Sequence, residues 1–170
     1  MRIKPVVAFY LICAALYLVF SGWAEGLGSP RILVGLALPI AACHLLFAAF
    51  SSIYFVFRQR WPKLNNALAN ASSAGCFLLA FVASFSIDDI AISRTMVRGD
   101  QVVDNVRAYH KLNGICPEAL TDIYPDPRDA PSPALILSEF YLHDCDVRFS
   151  STLFTTCKRS IDSEVWTCAD

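Results

Sequence analysis

The sequence predicts an α-helical membrane protein with three transmembrane helices and a small extracytoplasmic α+β domain. Of its 170 residues, 55% are hydrophobic and only 17% are charged, whereas an average soluble domain is about 25% charged. Three long stretches of the first half contain no charged residue, and 14 of the 15 acidic residues follow position 87. We therefore expect a membrane domain over residues 1–87 and a water-soluble domain over residues 88–170.

The three uncharged stretches cover residues 6–24, 32–57 and 64–87. At about 1.5 Å per helical residue, each is long enough to cross a hydrocarbon core of about 30 Å. We therefore expect three transmembrane helices. A cleaved signal peptide is the alternative for the first stretch, because Arg2 and Lys4 precede it and Gly22 and Ala24 are small residues at the spacing of a cleavage site.

Basic residues predict the orientation, because short loops that are rich in Lys and Arg stay in the cytoplasm. Arg2 and Lys4 precede the first stretch, and Arg58, Arg60 and Lys63 follow the second. The N-terminus is therefore expected in the cytoplasm, and the C-terminal domain is expected in the periplasm, beyond an inner membrane. The lipid bilayer is the first expected partner.

His44 lies near the middle of the second stretch, where an ionisable side chain is costly and is a functional candidate by default. A haem or metal site would need more ligands, and the three stretches contain no other histidine and no carboxylate. We therefore interpret His44 as a packing residue that hydrogen-bonds to Tyr10, Tyr17 or an Asn or Ser of the third stretch. No cofactor and no metal are expected. Each stretch also holds one cysteine, which we interpret as a small apolar side chain.

The C-terminal half predicts short helices followed by strands. Residues 101–113 have the spacing of an amphipathic helix, after a break at Gly99 with Asp100 as its N-cap. A short helix over 117–123 and a loop rich in Pro and Asp are expected next. Strands are then expected over residues 135–142, 147–156 and 165–168, and they would form an antiparallel sheet.

A resemblance to a known family begins at Tyr109 and ends at Pro125. The run reads Tyr-His-Lys-Leu-Asn-Gly-Ile-Cys-Pro-Glu-Ala-Leu-Thr-Asp-Ile-Tyr-Pro. It resembles the turn after the long helix of type IV pilins and type II secretion pseudopilins, although Cys116 replaces the aromatic residue that usually precedes the first Pro. The resemblance covers about residues 88–170. It implies an α+β head in which a helix packs on an antiparallel sheet, and a role related to pili or secretion.

The prepilin processing site of that family is missing. The nearest match, around Gly75 and Phe77, lacks the required Glu and lies within the third uncharged stretch. Two further uncharged stretches precede it. We therefore expect a pilin-like head on a polytopic anchor and not a fibre-forming pilin.

Four cysteines follow the membrane region, namely Cys116, Cys145, Cys157 and Cys168. An even number in an exported domain predicts disulfides, and four cysteines allow three pairings. Cys157 and Cys168 flank the turn between the last two expected strands, where an antiparallel hairpin brings them opposite each other. The expected pairs are therefore Cys157 with Cys168 and Cys116 with Cys145.

The expected function is that of a non-enzymatic envelope protein which presents its outer domain to other envelope proteins. Nucleic acid is not an expected partner, because no basic cluster is interleaved with aromatic residues. His110 is interpreted as a surface residue. His143, Asp144, Asp146 and Glu139 are interpreted as part of a solvated acidic turn, with a weak cation site as the alternative.

The alternative function is a membrane thiol-disulfide or quinone-linked redox enzyme that uses the seven cysteines and His44. It requires an accessible thiol with a low pKa, because the thiolate is the reactive form of cysteine.

Overall fold

The computed structural model describes residues 4–23, 34–151 and 155–169. Within them the chain forms three α-helices and an antiparallel four-stranded sheet of order β1-β2-β3-β4. The helices are α1 (Pro5–Val19), α2 (Leu38–Phe57) and α3 (Trp61–Asn113), and a 3₁₀ turn covers Leu120–Asp122. The strands are β1 (Tyr141–His143), β2 (Asp146–Ser150), β3 (Thr156–Ser160) and β4 (Thr167–Ala169).

The chain divides into two compact units, with the boundary inside α3 between Ser86 and Ile87. We call the first the helical unit. The second, which also includes Gly22 and Trp23, we call the C-terminal unit.

Two helices, α2 and α3, are long and apolar enough to cross a membrane, and α1 is a shorter apolar helix. The expected first helix, residues 6–24, ends early at Val19, and the chain then turns at Gly22, where φ is 76°. Of the expected second helix, residues 34–35 are helical, residues 36–37 form a turn, and α2 then runs from Leu38 to Phe57 with proline in its first turn. Residues 24, 32 and 33 lie outside the described part of the chain.

The helical unit is held together by one face of α1. Tyr10, Cys13, Ala14 and Tyr17 are buried at the spacing of a helical stripe. They pack against small or aromatic residues of the other helices, chiefly Ala41, Ala74, Phe77 and Ala80. Small residues let helix backbones approach closely, so the three helices of this unit share one core.

In the C-terminal unit, α3 packs on one face of the sheet. Val102, Val103 and Val106 of α3 are fully buried in one cluster with Val147 and Phe149 of β2. The alternation along β2 places these two side chains on the same face. The unit therefore has the expected α+β arrangement of a helix on an antiparallel sheet.

The expected helix break at Gly99 is wrong, because α3 continues through it. Gly99 is buried, and a Cβ atom there would lie 2.6 Å from Cζ2 of Trp166. Asp100 does not cap a helix. Its Oδ1 accepts hydrogen bonds from Nε1 of Trp166 at 2.7 Å and from Nη1 of Arg159 at 2.5 Å. This glycine therefore gives the Trp166 ring room to reach the helix.

Two of the expected strands are also corrected. Residues 135–142 do not form one strand, because Leu137 has a φ of 64°, and β1 begins only at Tyr141. The expected strand 147–156 is two strands, since β2 ends at Ser150 and β3 begins at Thr156. Residues 152–154 lie outside the described part of the chain.

A tight turn joins β1 to β2. His143 pairs with Asp146, and the two residues between them, Asp144 and Cys145, have φ values of 49° and 64°. Positive φ at both central residues is the signature of a type I′ turn, which matches the twist of a hairpin.

Candidate functional site

The C-terminal unit carries an open cleft of about 470 Å³. Its apolar lining comes from Leu120, Tyr124, Ala130, Phe140 and three prolines, Pro127, Pro131 and Pro133. Its polar lining comes from Thr121, Ser132, Ser138 and Glu139. We call this site the Tyr124 cleft.

Tyr124 is held in place by α3 and by the turn that precedes it. Its hydroxyl accepts a hydrogen bond of 2.6 Å from Nδ2 of Asn105. The preceding turn is closed by Asp122, whose Oδ2 accepts hydrogen bonds from the backbone N–H groups of Glu118 at 2.8 Å and Ala119 at 3.0 Å. One wall of the cleft is therefore fixed to the long helix.

The proline-rich wall is fixed to α3 as well. Thr95 is fully buried, and its Oγ1 accepts hydrogen bonds from the backbone N–H groups of Ala134 at 3.0 Å and Leu135 at 3.2 Å. Nη1 of Arg98 donates a hydrogen bond of 3.0 Å to the carbonyl of Ser132. Both walls thus stand on one rigid element, which keeps the cleft open.

An exposed ion pair shapes the loop around Pro127. Oδ1 of Asp126 accepts hydrogen bonds from the backbone N–H of Arg128 at 2.9 Å and from its Nε at 3.0 Å. The Arg128 guanidinium holds the pKa of the Asp126 carboxyl below its ordinary value. The stabilisation is therefore present above the ordinary carboxyl pKa of about 3.9 and is lost as the pH falls through the lower folded value. The Asp126–Arg128 ion pair is therefore formed throughout the neutral pH range.

The structure joins Cys116 to Cys145, with Cα atoms 5.5 Å apart, and Cys157 to Cys168, with Cα atoms 4.0 Å apart. These are the pairs favoured from the sequence. The first ties the segment after α3 to the β1–β2 turn, and the second links facing residues of β3 and β4. The free cysteines, Cys13, Cys43 and Cys76, all belong to the helical unit.

His44 is hydrogen-bonded through Nδ1 to the hydroxyl of Tyr10. Tyr10 is one of the partners that the sequence analysis expected, and it belongs to the buried stripe of α1. The two rings meet edge to face, with centroids 5.7 Å apart. His44 also lines a groove between α2 and α3.

Two basic side chains lie beside Asp146 in the acidic turn of the sheet. Oδ2 of Asp146 lies 3.3 Å from Arg148 and 4.0 Å from Lys158. Nε2 of His143 lies 3.3 Å from Asp144, and both side chains are exposed. Among the described residues, no group of three or more His, Cys, Asp or Glu side chains is placed to hold a metal ion.

The hydrogen bonds that Asp100 accepts from Arg159 and Trp166 were not expected from the sequence. In the sequence, only the adjacent Gly99 and Asp100 point to these hydrogen bonds. The same pair of residues is equally typical of the start of a helix. The contribution of Arg159 and Trp166 becomes visible only when the sheet is folded onto α3.

Over the residues that the structure describes, the chain forms three α-helices, two of them apolar enough to cross a membrane, and a disulfide-bonded α+β unit. Comparisons of the chain with protein-family models, curated proteins and solved structures found no match. The resemblance of residues 109–125 to pilins and pseudopilins remains an expectation from the sequence.

Proposed function

We propose that this chain is a three-pass inner-membrane protein that holds its C-terminal unit in the periplasm, where the Tyr124 cleft binds segments of other envelope proteins. The proposed role is recognition or scaffolding and not catalysis. The observation that carries it is a twice cross-linked unit whose long helix holds an apolar, aromatic cleft open, with Glu139 as the one carboxylate in its lining.

The surface of α2 supports residence in a membrane. Phe47, Phe50 and Phe57 are 72%, 73% and 81% exposed. Large apolar side chains in such number are costly in water and suit a lipid environment.

Contacts of the segment after α1 support three crossings. The backbone N–H of Gly22 donates a hydrogen bond of 2.7 Å to Oδ1 of Asp88, and its carbonyl accepts one of 2.9 Å from the N–H of Ile136. Trp23 forms a parallel bridge with Ile136. Gly22 and Trp23 thus belong to the C-terminal unit, and this agrees with the proposal, in which three crossings bring the chain after α1 to the side of that unit.

The packing of α1 supports a retained helix over a cleaved signal peptide. Tyr10 and Tyr17 bury their rings against Phe77, and Tyr10 also bonds to His44. Removal of α1 would uncover Phe77 and leave His44 without this bond. The two disulfides support the periplasm, because such bonds persist in oxidising compartments.

The character of the cleft supports binding of a protein segment. Recognition sites are typically concave and apolar, with a few polar groups that fix the orientation of the ligand. The helix-on-sheet arrangement agrees with the head fold that the resemblance implies, and it makes components of pili or secretion machines the first partners to examine.

Site-specific photo-crosslinking in cells tests the proposal. A photoreactive residue replaces Glu139, which lines the cleft, or Glu164, an exposed acidic residue outside it. We expect a discrete adduct with one envelope protein at position 139 only. Glu139→Lys should weaken the adduct formed from a second probe at Thr121, and Glu164→Lys should not.

Two results would overturn the proposal. The first is the same set of adducts from both positions, which indicates random collision. The second is rapid alkylation of a cysteine among residues 116–168 in the native, unreduced protein, which would favour the redox enzyme.

A further inference from the structure

A groove runs between α2 and α3 within the helical unit. It measures about 230 Å³ and is lined by His44, Phe47, Ala48, Ser51 and Phe55 of α2 and by Lys63, Asn66, Ala67 and Asn70 of α3. We call it the α2–α3 groove. Its α2 side is mainly apolar, with His44 and Ser51 as the polar residues, while its α3 side carries one cation and two amides.

We propose that the α2–α3 groove binds one anionic phospholipid of the cytoplasmic leaflet. The phosphate lies at Lys63, and one acyl chain follows the groove toward His44. This inference rests on the membrane embedding proposed above, and it assigns that embedding a specific lipid.

The first argument is uncompensated charge at the mouth of the groove. Arg58, Arg60 and Lys63 are exposed and form no ion pair with any described residue. The sequence contains no Asp or Glu between Glu25 and Asp88. The compensating anions must therefore come from outside this part of the chain. Basic pockets between transmembrane helices on the cytoplasmic side are suited to anionic headgroups.

The second argument is the length of the groove. It follows α2 from Phe55 to His44, which at about 1.5 Å per residue is roughly 16 Å. One leaflet supplies about half of a hydrocarbon core of about 30 Å. Ala48 and Ala67 leave room between the helices, and Phe47 and Phe55 provide apolar walls for a chain of that length.

The third argument is an amide without a partner. Oδ1 of Asn70 is buried and accepts no hydrogen bond from any described residue. Such a group is costly in hydrocarbon. Asn70 lies two turns, about 10 Å, further along α3 than Lys63 and lines the same groove. Its side-chain amide has a donor and an acceptor end, so it can pair with a polar group of a molecule that enters the groove.

Native mass spectrometry of the delipidated, detergent-solubilised protein tests this site. Phosphatidylglycerol and phosphatidylcholine with identical acyl chains are the probes. We expect one phosphatidylglycerol to bind at least about tenfold more tightly than phosphatidylcholine, which is about 1.4 kcal/mol. Lys63→Gln should remove most of this preference. Arg58→Gln, which removes the same charge outside the groove, should change it less than about twofold.

A second pair of variants tests the groove without touching its charge. Ala67→Phe fills the groove and should abolish retention of the lipid, whereas Ala69→Phe, on the exposed side of α3, should not. Free glycerol phosphate should fail to displace the bound lipid, because it lacks the acyl chain.

Three outcomes would overturn the inference: equal losses in Lys63→Gln and Arg58→Gln, undiminished binding in Ala67→Phe, or displacement by glycerol phosphate. The last would indicate a site for a free anion. Binding in detergent does not depend on which way the protein crosses a membrane. A wrong topology and an absent lipid site are therefore distinguishable.

Discussion

At the scale of single residues, α3 sets how closely the β3–β4 hairpin approaches it. Gly99 admits the Trp166 ring, and Asp100 beside it accepts hydrogen bonds from that ring and from Arg159. The Trp166 ring also packs edge to face on Phe149, with centroids 5.4 Å apart. Gly99 and Asp100 thus hold Trp166, near the end of the chain, against the core residue Phe149.

Gly99→Ala should destabilise the C-terminal unit. The new Cβ atom would lie 2.6 Å from Cζ2 of Trp166, and overpacking of this kind costs about 1–3 kcal/mol. Gly75→Ala on the same helix is the control, because its Cβ atom meets nothing within 4 Å. Protease resistance against temperature, without reductant, measures both. Equal melting temperatures of Gly99→Ala and Gly75→Ala would contradict the close approach of Trp166 to Gly99.

Asp100→Asn should also destabilise the unit, because Arg159 loses its charged partner while its side chain is only 13% exposed. Hydrogen bonds to charged groups contribute about 1.5–3 kcal/mol, and we expect the lower end because the Asp100 side chain is 43% exposed. Asp104→Asn breaks the more exposed pair with Arg107 and should cost less than about 1 kcal/mol. Denaturant melts compare the two, and a larger loss in Asp104→Asn would contradict this ranking.

His44→Leu should leave the protein inserted, abundant and functional, because the structure gives His44 a single hydrogen bond among the described residues, to Tyr10. Such bonds between membrane helices contribute about 0.6 kcal/mol on average. Tyr10→Phe removes the same bond and should behave alike. Complementation of a deletion strain, with an immunoblot for abundance, is the measurement. If His44→Leu loses function at normal abundance while Tyr10→Phe does not, His44 has a chemical role beyond this hydrogen bond.

At the scale of elements, one disulfide ties the segment after α3 to the β1–β2 turn, and the other links β3 to β4. Cys116 and Cys145 are 29 residues apart, and Cys157 and Cys168 are 11 apart. The entropy of the unfolded chain falls more when the closed loop is longer, which gives about 3.5 kcal/mol for the first bridge and about 3 kcal/mol for the second.

Replacing Cys116 and Cys145 together by Ala should therefore lower the melting temperature more than replacing Cys157 and Cys168. Cys157 is fully buried, so alanine is preferable to serine at that position. Non-reducing peptide mapping of the native protein is the accompanying measurement, and it should return the two pairs of the structure. A linkage of Cys116 with Cys157 or Cys168 would refute them, and four free thiols would also refute an oxidising compartment.

Helices and strands could be predicted from the sequence where the spacing of apolar residues matches the face that packs in the core. They could not be predicted where apolar residues reach the core from a loop. The apolar spacing in 101–113 correctly predicts the helix that packs on the sheet. The apolar run 135–142 looks like a strand, yet Leu135 and Phe140 reach the core from a loop. The left-handed residue Leu137 prevents regular pairing there, and no local pattern marks it.

The β1–β2 turn shows a second limit of sequence reasoning. Type I′ turns usually contain Gly or Asn, and here the second position is Cys145. Its disulfide to Cys116 is a long-range constraint, and no short window of sequence can contain it. The lining of the Tyr124 cleft was missed for the same reason, because the cleft forms where the 3₁₀ turn, the proline loop and residues 138–140 converge.

At the scale of the whole molecule, the basic loop 58–60 and the C-terminal unit are expected on opposite sides of the membrane. Reporters that are active on one side only, fused after Asp170 or inserted near Pro62, measure this. We expect periplasmic activity at the first site and cytoplasmic activity at the second. Cytoplasmic activity after Asp170 would overturn the orientation. Identical activity at both would show that α3 does not cross the membrane.

The hydrogen bonds of Gly22 have a consequence for biosynthesis. Gly22 leaves the ribosome well before Asp88 and Ile136, so its N–H and carbonyl have neither partner while the rest of the chain is made. The N–H group can meet its partner once Asp88 has been made, and the carbonyl can do so once Ile136 has been made. A nascent chain that stops before residue 136 keeps the Gly22 carbonyl without this partner. The bond to Ile136 therefore distinguishes a chain that reaches residue 136 from a shorter one, at a point close to the start of the sequence.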